Sequence, residues 1–484
     1  MLSKKSKWFL VPLLLGLFYF STQFATSKII GGDDGHFHIQ FSRQIFEHGI
    51  PHALPQLHDT IYRDAYRDPH LLFHLLLIPF SLLPDKLLGA KLAAATFATL
   101  AALVFWWALI RLRANTPWLW LLLFVAGSGG FLFRLQMPRA QSLALALTLI
   151  TIVALLERRL GLLFLVGFLH VWLYDAFWIL LVIALVYCEV KPFLFLMAGL
   201  AAGSVVNPYF PGNFVSYFQN FERALLSVFE TVPLPAEWYS VDPWSFVATN
   251  APILFVGVGL LIGLTLCKQS KENKRESVFL GIIALIYLVL ACSAQRFIEY
   301  LPPIALLFFA SLQKKFWPQL THPIKTTMTA TALVVSLGAG GLYAANFSLT
   351  NQPDETYNCY LKAGLWMEKH IPKNELIFTT DWDDFPILYM QAPQLRFLVG
   401  LDPRWMLEYN RNLYALYRDI TQGKIAGPYA EQITKIFESH TLFSDTEHSE
   451  FLDIFDKEPN VYRVFNEQKC RIYMIKDKRP KNDN

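Results

Sequence analysis

The sequence predicts a mainly α-helical, polytopic membrane protein with about eleven transmembrane helices and a C-terminal soluble α/β domain. Three observations predict it. Of 484 residues, 54% are hydrophobic and only 17% are charged, against about 25% charged in soluble domains. The mean hydropathy is +0.34. Apolar runs of membrane-crossing character recur up to residue 349, and the composition then turns polar. These figures exclude a disordered tail protein, a fibrous protein and an ordinary cytosolic enzyme. A net charge of +4 without a basic stripe gives no support to a nucleic-acid partner. Five cysteines with no CxxC exclude a disulfide scaffold and a zinc ribbon.

The chain opens MLSKKSKWFLVPLLLGLFYFSTQFATSK. Three lysines precede an apolar run over residues 8–24. The run is longer than the roughly 7–15-residue core of a signal peptide and lacks a clean small-x-small site, so it predicts an uncleaved first span. Further spans are expected over 87–110, 117–133, 141–156, 160–173, 176–190, 193–206, 247–267, 277–294, 301–313 and 326–345. The fifth and sixth are short, and one long tilted helix is the alternative for that pair. With two separate helices, Ser3–Lys7, Arg111–Arg113, Glu157–Arg159, Glu189–Lys191, Lys268–Arg275 and Lys314–Lys325 share one side. Nearly all are basic, as cytoplasmic segments are. The opposite face receives 27–85, 134–140, 207–246, 295–300 and the tail.

Residues 1–349 are thus expected to form the membrane domain, with a long outer loop over 27–85, and 350–484 a soluble extracytoplasmic domain. In the latter, helix-like stretches (Tyr357–His370, Arg404–Thr421, Pro428–His440) alternate with strand-like runs (Glu375–Thr379, Leu395–Val399, Val461–Phe465, Arg471–Ile475). Cys359 opens this domain and Cys470 closes it. An oxidising compartment permits a bridge between them; two free buried thiols are the alternative.

The first outer loop holds seven histidines, His36, His38, His48, His52, His58, His70 and His74, among several acids. Such polar crowding at a membrane surface suggests a site. Its core reads GGDDGHFHIQFSRQIFEHG. Gly31 and Gly32 loosen the chain, and Asp33 or Asp34 can cap a helix starting at Gly35. On that helix His36, Gln40, Arg43 and Glu47 share a face, while Phe37, Phe41 and Ile45 form an apolar stripe. The helix is expected to lie on the membrane, holding a carboxylate there as a general base or metal ligand. Alternating Asp33, Asp34, His36 and His38 do not converge on one ion unless the loop folds back, so no metal site is assigned. The segment YRDAYRDPHLLFHLLLIPF follows. It reads as a re-entrant or surface helix that returns Asp68, His70 and His74 to the membrane face, with local Arg–Asp pairing as the alternative.

A long outer loop with an acid just after span one resembles the GT-C class of integral-membrane glycosyltransferases. The run DGHFHIQFSRQIFEHG is similar to the loop-one segment of oligosaccharyltransferase catalytic subunits, and in placement to protein mannosyltransferases and lipid A aminoarabinose transferases. The resemblance implies that Asp34 is the catalytic base, with Asp33 the neighbouring candidate. The oligosaccharyltransferases carry a second acidic pair in the next outer loop; this chain has RLQMPRAQ, with Arg134 and Arg139. Where they carry Trp-Trp-Asp-Tyr-Gly, this chain has FTTDWDDFPILY. These departures favour a transferase using a single polyprenyl-phosphate sugar, with no cofactor and a divalent metal not favoured.

Arg134 and Arg139 flank a short outer turn and are suited to hold a lipid phosphate bidentately; snorkelling to the interface is the alternative. The resemblance gives Arg296, in SAQRFIEYLPP, the same role, with an ion pair to Glu299 as the alternative. His170 and Asp175, in FLHVWLYDAFW, sit at an outer tip where Asp175 can orient His170 or hold an acceptor hydroxyl. The loop 207–246 is rich in Tyr, Phe and Trp and reads as a lid or an interface belt. Acids after a strand often face ligands, so Trp382 and Asp383 are candidate acceptor-binding residues, with His38 and His70. GLDPR, at Gly400 to Arg404, reads as a turn.

The expected function is transfer of a sugar from a polyprenyl-phosphate-linked donor to an extracytoplasmic acceptor (glycan, lipid or protein). The partners are that donor, the acceptor and membrane lipids, in a bacterial inner membrane with the tail in the periplasm. The alternatives are a non-catalytic GT-C scaffold that binds a lipid-linked glycan, and a transporter or flippase, whose repeated halves this asymmetric chain does not show.

Overall fold

The computed structural model describes residues 4–226, 236–266, 274–350, 352, 354–425 and 427–476. Cys267, most of the basic run 268–275 and part of the aromatic loop 207–246 therefore lie outside the described residues. The chain forms two compact units. The first comprises residues 1–26, 69–73 and 91–351, and the second 27–68, 74–90 and 352–484. The composition change near 350 thus falls where the last stretch of the second unit begins, and that unit also takes most of the first outer loop.

The first unit is helical. Among the described residues, Lys86–Arg111 and Lys274–Ser293 are long and apolar enough to cross a membrane. Two further candidates are bent pairs: Pro117–Ala126 with Gly129–Leu135, at 82°, and Pro243–Thr249 with Ala251–Thr265, at 78°. The continuous helix expected over 117–133 is therefore broken. The cause is local: Ser128, extended at φ −146°, caps the second helix by accepting from the Phe131 N–H. Shorter apolar helices include Gln141–Leu156, Leu160–Leu173, Trp178–Tyr187 and Val190–Val206. The fifth and sixth expected spans are two helices, Leu160–Leu173 and Trp178–Tyr187, parted at Tyr174–Phe177. Leu160–Leu173 packs tightly on Val190–Val206. A Cβ on Gly199 would meet the Phe164 carbonyl oxygen at 2.1 Å, so only glycine permits this approach.

The second unit carries a five-stranded sheet in the order β2-β1-β3-β5-β4. The strands are β1 (Leu376–Thr379), β2 (Arg396–Phe397), β3 (Thr441–Asp445), β4 (Val461–Asn466) and β5 (Cys470–Ile475). β1 runs parallel to β2 and β3, and β5 runs antiparallel to β3 and β4. The strand-like runs of the sequence correspond to β1, β2, β4 and β5. β3, TLFSD, lies buried along its whole length and carries no alternation to reveal it. Arg404–Thr421 is two helices, Arg404–Tyr409 and Arg411–Thr421, because Asn410 turns extended and caps the second. Cys359 and Cys470 form a disulfide that ties the helix Glu355–His370 to the start of β5.

The first-loop helix runs Asp34–His48. Its stripe of Phe37, Phe41 and Ile45 is not laid on lipid but joins the second unit's core, with Tyr357, Phe385, Leu388 and Tyr389. Phe37 lies 6.0 Å from Phe385 and 5.8 Å from Tyr389, ring to ring. Burial of each such side chain stabilises by roughly 1.5–3 kcal/mol, which is why the stripe finds protein. The loop also lengthens the sheet: His58 and Asp59 donate backbone N–H groups to Phe397 and Leu398 at 2.8 and 2.9 Å, and Phe397 N–H returns to Gln56 O at 2.8 Å.

Candidate functional site

Polar groups converge in three places, two in the second unit and one in the first. The Asp33–Asp34 turn is the first. Gly31 and Gly32, at φ 86° and 92°, turn the chain in a region that favours glycine. Asp33 stands at the N-cap position, but its backbone is helical and its side chain makes no cap bond, contrary to the expected role. Its carbonyl instead accepts from the His36 backbone N–H at 2.9 Å and from His36 Nδ1 at 3.0 Å. Nδ1 therefore carries the proton, and Nε2 accepts from the Tyr357 hydroxyl at 2.9 Å. Burial pushes the His36 imidazole down to about 4, so it is neutral at pH 7. Tyr357 is pushed up by its burial and by the Asp33 and Asp85 carboxylates. Asp34 stands half-buried in the first helical turn, at the positive end of the helix dipole.

One turn further along, His38 belongs to a buried chain. Asp68 Oδ2 lies 2.6 Å from His74 Nδ1, and His74 Nε2 lies 2.8 Å from His38 Nδ1. The Asp68 carboxylate fixes the proton on His74 Nδ1, which leaves His74 Nε2 to accept from His38. Asp68 thus pairs with His74, while Arg63 takes the neighbouring Asp64 at 2.8 Å.

The second place is the carboxyl edge of the parallel strands β1 and β3. The DWDD turn follows β1, and Asp445 ends β3. Asp384 is fully buried; it accepts from the Tyr360 hydroxyl at 2.5 Å and from the Asp381 N–H at 3.0 Å. Burial and the surrounding carboxylates hold Asp384 well above the usual range. It organises the turn from inside, leaving Trp382 half-buried and Asp383 exposed. His448 Nδ1 lies 2.8 Å from Asp445 Oδ1. Although part of Asp383 stays open to solvent, the partial desolvation of its carboxyl in the turn and the charges of Asp381, Asp33 and Asp445 push it up to about 7. The folded protein then holds this proton where the unfolded chain has lost it. Stability from this group is fully present below about pH 4 and is lost as pH rises through about 7. Asp383→Asn is therefore expected to raise the melting temperature at pH 8, with the gain shrinking towards pH 5. Melts across that range check it, and an equal gain at both pH values would contradict it.

The third place lies in the first unit, at the turns around Arg134–Arg139, Ala236–Trp238 and Gln295–Glu299. Arg134 Nη2 and Arg139 Nη1 donate to Glu237 Oε2 at 2.7 and 3.1 Å, and Arg296 Nη1 lies 3.8 Å from Glu237 Oε1. Arg134 Nε donates to Glu299 at 2.8 Å. Arg296 donates to the Tyr174 hydroxyl at 3.0 Å and lies 4.1 Å from the Trp238 ring centroid. Burial alone would raise Glu237, but the three guanidiniums overcome it and hold the carboxyl down at about 2. Glu299, also buried, is pushed up despite Arg134. Thus Arg296 faces Glu237 and Tyr174, and Glu299 pairs with Arg134 rather than with Arg296.

The structure therefore gathers Arg134, Arg139 and Arg296, and separately Asp33, Asp381, Asp383 and Asp445. Other expected partners are not joined. Asp175 accepts from Asn220 Nδ2 at 2.6 Å instead of orienting His170, which is buried in its helix. His70 stacks on Tyr174, with ring centroids 5.4 Å apart. Asp402 pairs with Arg404 inside the expected turn. No group of three or more His, Cys, Asp or Glu able to hold a metal occurs among the described residues. Glu237, Trp238, Tyr357, Tyr360, Asp445 and His448 are participants that sequence reasoning missed; Glu237 and Trp238, an acid and an aromatic in the loop 207–246, left a signal there.

No protein-family model matches the chain, and no curated protein matches its sequence. Solved structures do match in fold. The apo oligosaccharyltransferase of Archaeoglobus fulgidus aligns at TM-score 0.65 and 12% identity, over 92% of this chain and 70% of that one. Apo ArnT from Cupriavidus metallidurans aligns at TM-score 0.60 and 12% identity, over 97% and 98%. The mycobacterial arabinofuranosyltransferase AftD aligns at TM-score 0.54 and 12% identity, over 98% of this chain and 42% of that one. All three are GT-C glycosyltransferases, and this chain has their fold.

Proposed function

We propose that this chain, built on the GT-C fold, is an integral-membrane glycosyltransferase that moves a sugar from a polyprenyl-phosphate donor to an extracytoplasmic acceptor. The observation that carries the reading is the three-arginine cluster at the head of an apolar groove. The groove, of about 180 Å³, is lined by residues such as Ile179, Ile183, Ile283, Tyr287 and Leu290. Its walls are the helices Trp178–Tyr187 and Lys274–Ser293. Tyr174 lies just before the first wall and Arg296 just after the second, and the two are hydrogen-bonded. An isoprenoid tail suits the groove, and its phosphate suits the guanidiniums. Two fold neighbours support this chemistry, being solved with dolichol-phosphate and with undecaprenyl phosphate.

In this reading Arg296, Arg134 and Arg139 hold the donor phosphate and stabilise it as leaving group. Asp34 takes the proton of the acceptor hydroxyl or amine, with Asp33 beside it. The acceptor atom bonds to the anomeric carbon with inversion, while the bond from that carbon to phosphate breaks and its electron pair leaves with the lipid phosphate. His38, His70, His170, Asp175, Trp382 and Asp383 are the candidate acceptor contacts. The proposed layout keeps about eleven crossings, with residues 1–349 as the membrane domain and 350–484 in the periplasm of a bacterial inner membrane. The Cys359–Cys470 bridge supports an oxidising side for the tail.

The test is transfer from a panel of radiolabelled polyprenyl-phosphate sugars to total membrane acceptors, using purified protein in lipid nanodiscs. Labelled acceptor together with released polyprenyl phosphate is expected. Tight binding of polyprenyl phosphate with no incorporation from any donor would replace the transferase by a lipid-glycan-binding scaffold.

A further inference from the structure

We propose that Glu237 is an internal stand-in for the donor phosphate, so that a lipid phosphate binds the arginine cluster only by displacing it; the inference rests on the reading that this cluster receives the donor. Glu237 presents both carboxylate oxygens to the guanidiniums. One accepts from Arg134 and Arg139 at 2.7 and 3.1 Å, and the other lies 3.8 Å from Arg296. A phosphate held bidentately by arginine uses the same donors from the same side. Two of the arms that would carry it, Arg134 and Arg296, are braced independently of Glu237. Glu299 holds Arg134 through Nε at 2.8 Å, and Tyr174 holds Arg296 through Nη2 at 3.0 Å.

Charge makes coexistence costly. The three cations already face Glu237 and Glu299, and Arg296 also feels Asp175. A phosphate added to this buried set would bring an excess of negative charge over these three cations. Withdrawal of Glu237 uncovers one positive charge, which matches the single negative charge of a sugar phosphodiester. After transfer the lipid keeps a phosphate monoester, and the return of Glu237 competes with it and favours its release. Glu237 is placed for such exchange: it lies in a single 3-10 turn, Ala236–Trp238, anchored by the Gln295 N–H to Tyr239 O at 3.1 Å.

The experiment measures binding of undecaprenyl phosphate, with neutral undecaprenol as control, to the wild-type protein and to Glu237→Gln, Glu237→Asp and Arg296→Ala. Displacement predicts that Glu237→Gln binds undecaprenyl phosphate at least about tenfold more tightly, the scale of one lost charge competition. Glu237→Asp, which keeps the charge on a shorter arm, is expected to fall between. Undecaprenol is expected to bind all forms alike. A strut role would weaken binding or leave it unchanged, so unchanged or weaker binding by Glu237→Gln, with Arg296→Ala weakened, overturns displacement and leaves the phosphate site standing. Equal tightening for undecaprenol also overturns it, because the effect would then lie in the groove. If Arg296→Ala binds as wild type does, the phosphate site itself fails, and displacement with it. Should Glu237→Gln fold poorly, Glu237→Asp decides the matter alone: tighter binding than wild type supports displacement, and unchanged or weaker binding overturns it.

Discussion

Asp34→Asn is expected to lower transfer from a polyprenyl-phosphate sugar by about 10²–10⁴-fold, the usual weight of a general base, while the protein stays folded. Asparagine keeps the shape of the side chain and its place in the first turn of the helix Asp34–His48. It cannot take a proton from the acceptor. Asp33→Asn is the paired control. The Asp33 carbonyl accepts from the His36 N–H and from His36 Nδ1, and its carboxylate, which makes no cap bond, lies 4.0 Å from His36 Nδ1, a place asparagine also fills. This variant is therefore expected to keep the turn and most of the transfer. The measurement is incorporation of label by the purified variants side by side, with circular dichroism to verify folding. Full transfer by Asp34→Asn with loss in Asp33→Asn would move the base to Asp33. Full transfer by both would remove the first-loop acids from the chemistry.

The second large effect is on stability. Cys359→Ser with Cys470→Ser is expected to destabilise the second unit by about 2–5 kcal/mol. The bridge closes a loop with a sequence separation of 111 residues, and constraining so long a loop removes much entropy from the unfolded chain. Both cysteines are buried, at 3% and 0% exposure, so the two hydroxyls would also lose packing and solvation. Denaturant unfolding of the variant in detergent, with and without reductant, checks the size. Reductant is expected to bring the wild type to the variant and to leave the variant unmoved. A difference below about 1 kcal/mol would show that the helix Glu355–His370 and β5 hold together without the bridge.

The two effects also separate what is local from what is not. The apolar runs, the basic segments between them and the polar tail were legible because hydropathy is a property of short stretches. The GT-C resemblance rested on such local features, the hydropathy layout, a long loop with an acid just after span one and the stretch DGHFHIQFSRQIFEHG, and the fold bears it out. The turn at Ser128 and the split at Asn410 were legible in principle, since glycine and capping residues mark them, yet an apolar run masked the first and a continuous helix-like periodicity over Arg404–Thr421 masked the second. β3 was lost because a strand buried on both faces has no alternation.

By itself, then, the sequence determined the apolar helical part and the polar tail, the unusual first loop, and the residues now proposed for the chemistry: Asp33 and Asp34 in that loop, and Arg134, Arg139 and Arg296. Only the tertiary structure decided their partners. Arg134 meets Glu237 across 103 positions and Glu299 across 165, and His36 meets Tyr357 across 321. The first-loop helix carries an amphipathic stripe that suits a bilayer and a protein core equally. Its assignment to the core needed Phe385 and Tyr389, residues more than three hundred positions away. A local pattern specifies that a face must be buried or a charge paired; which surface or counter-ion answers it is set by chain closure over distances that no window of sequence spans.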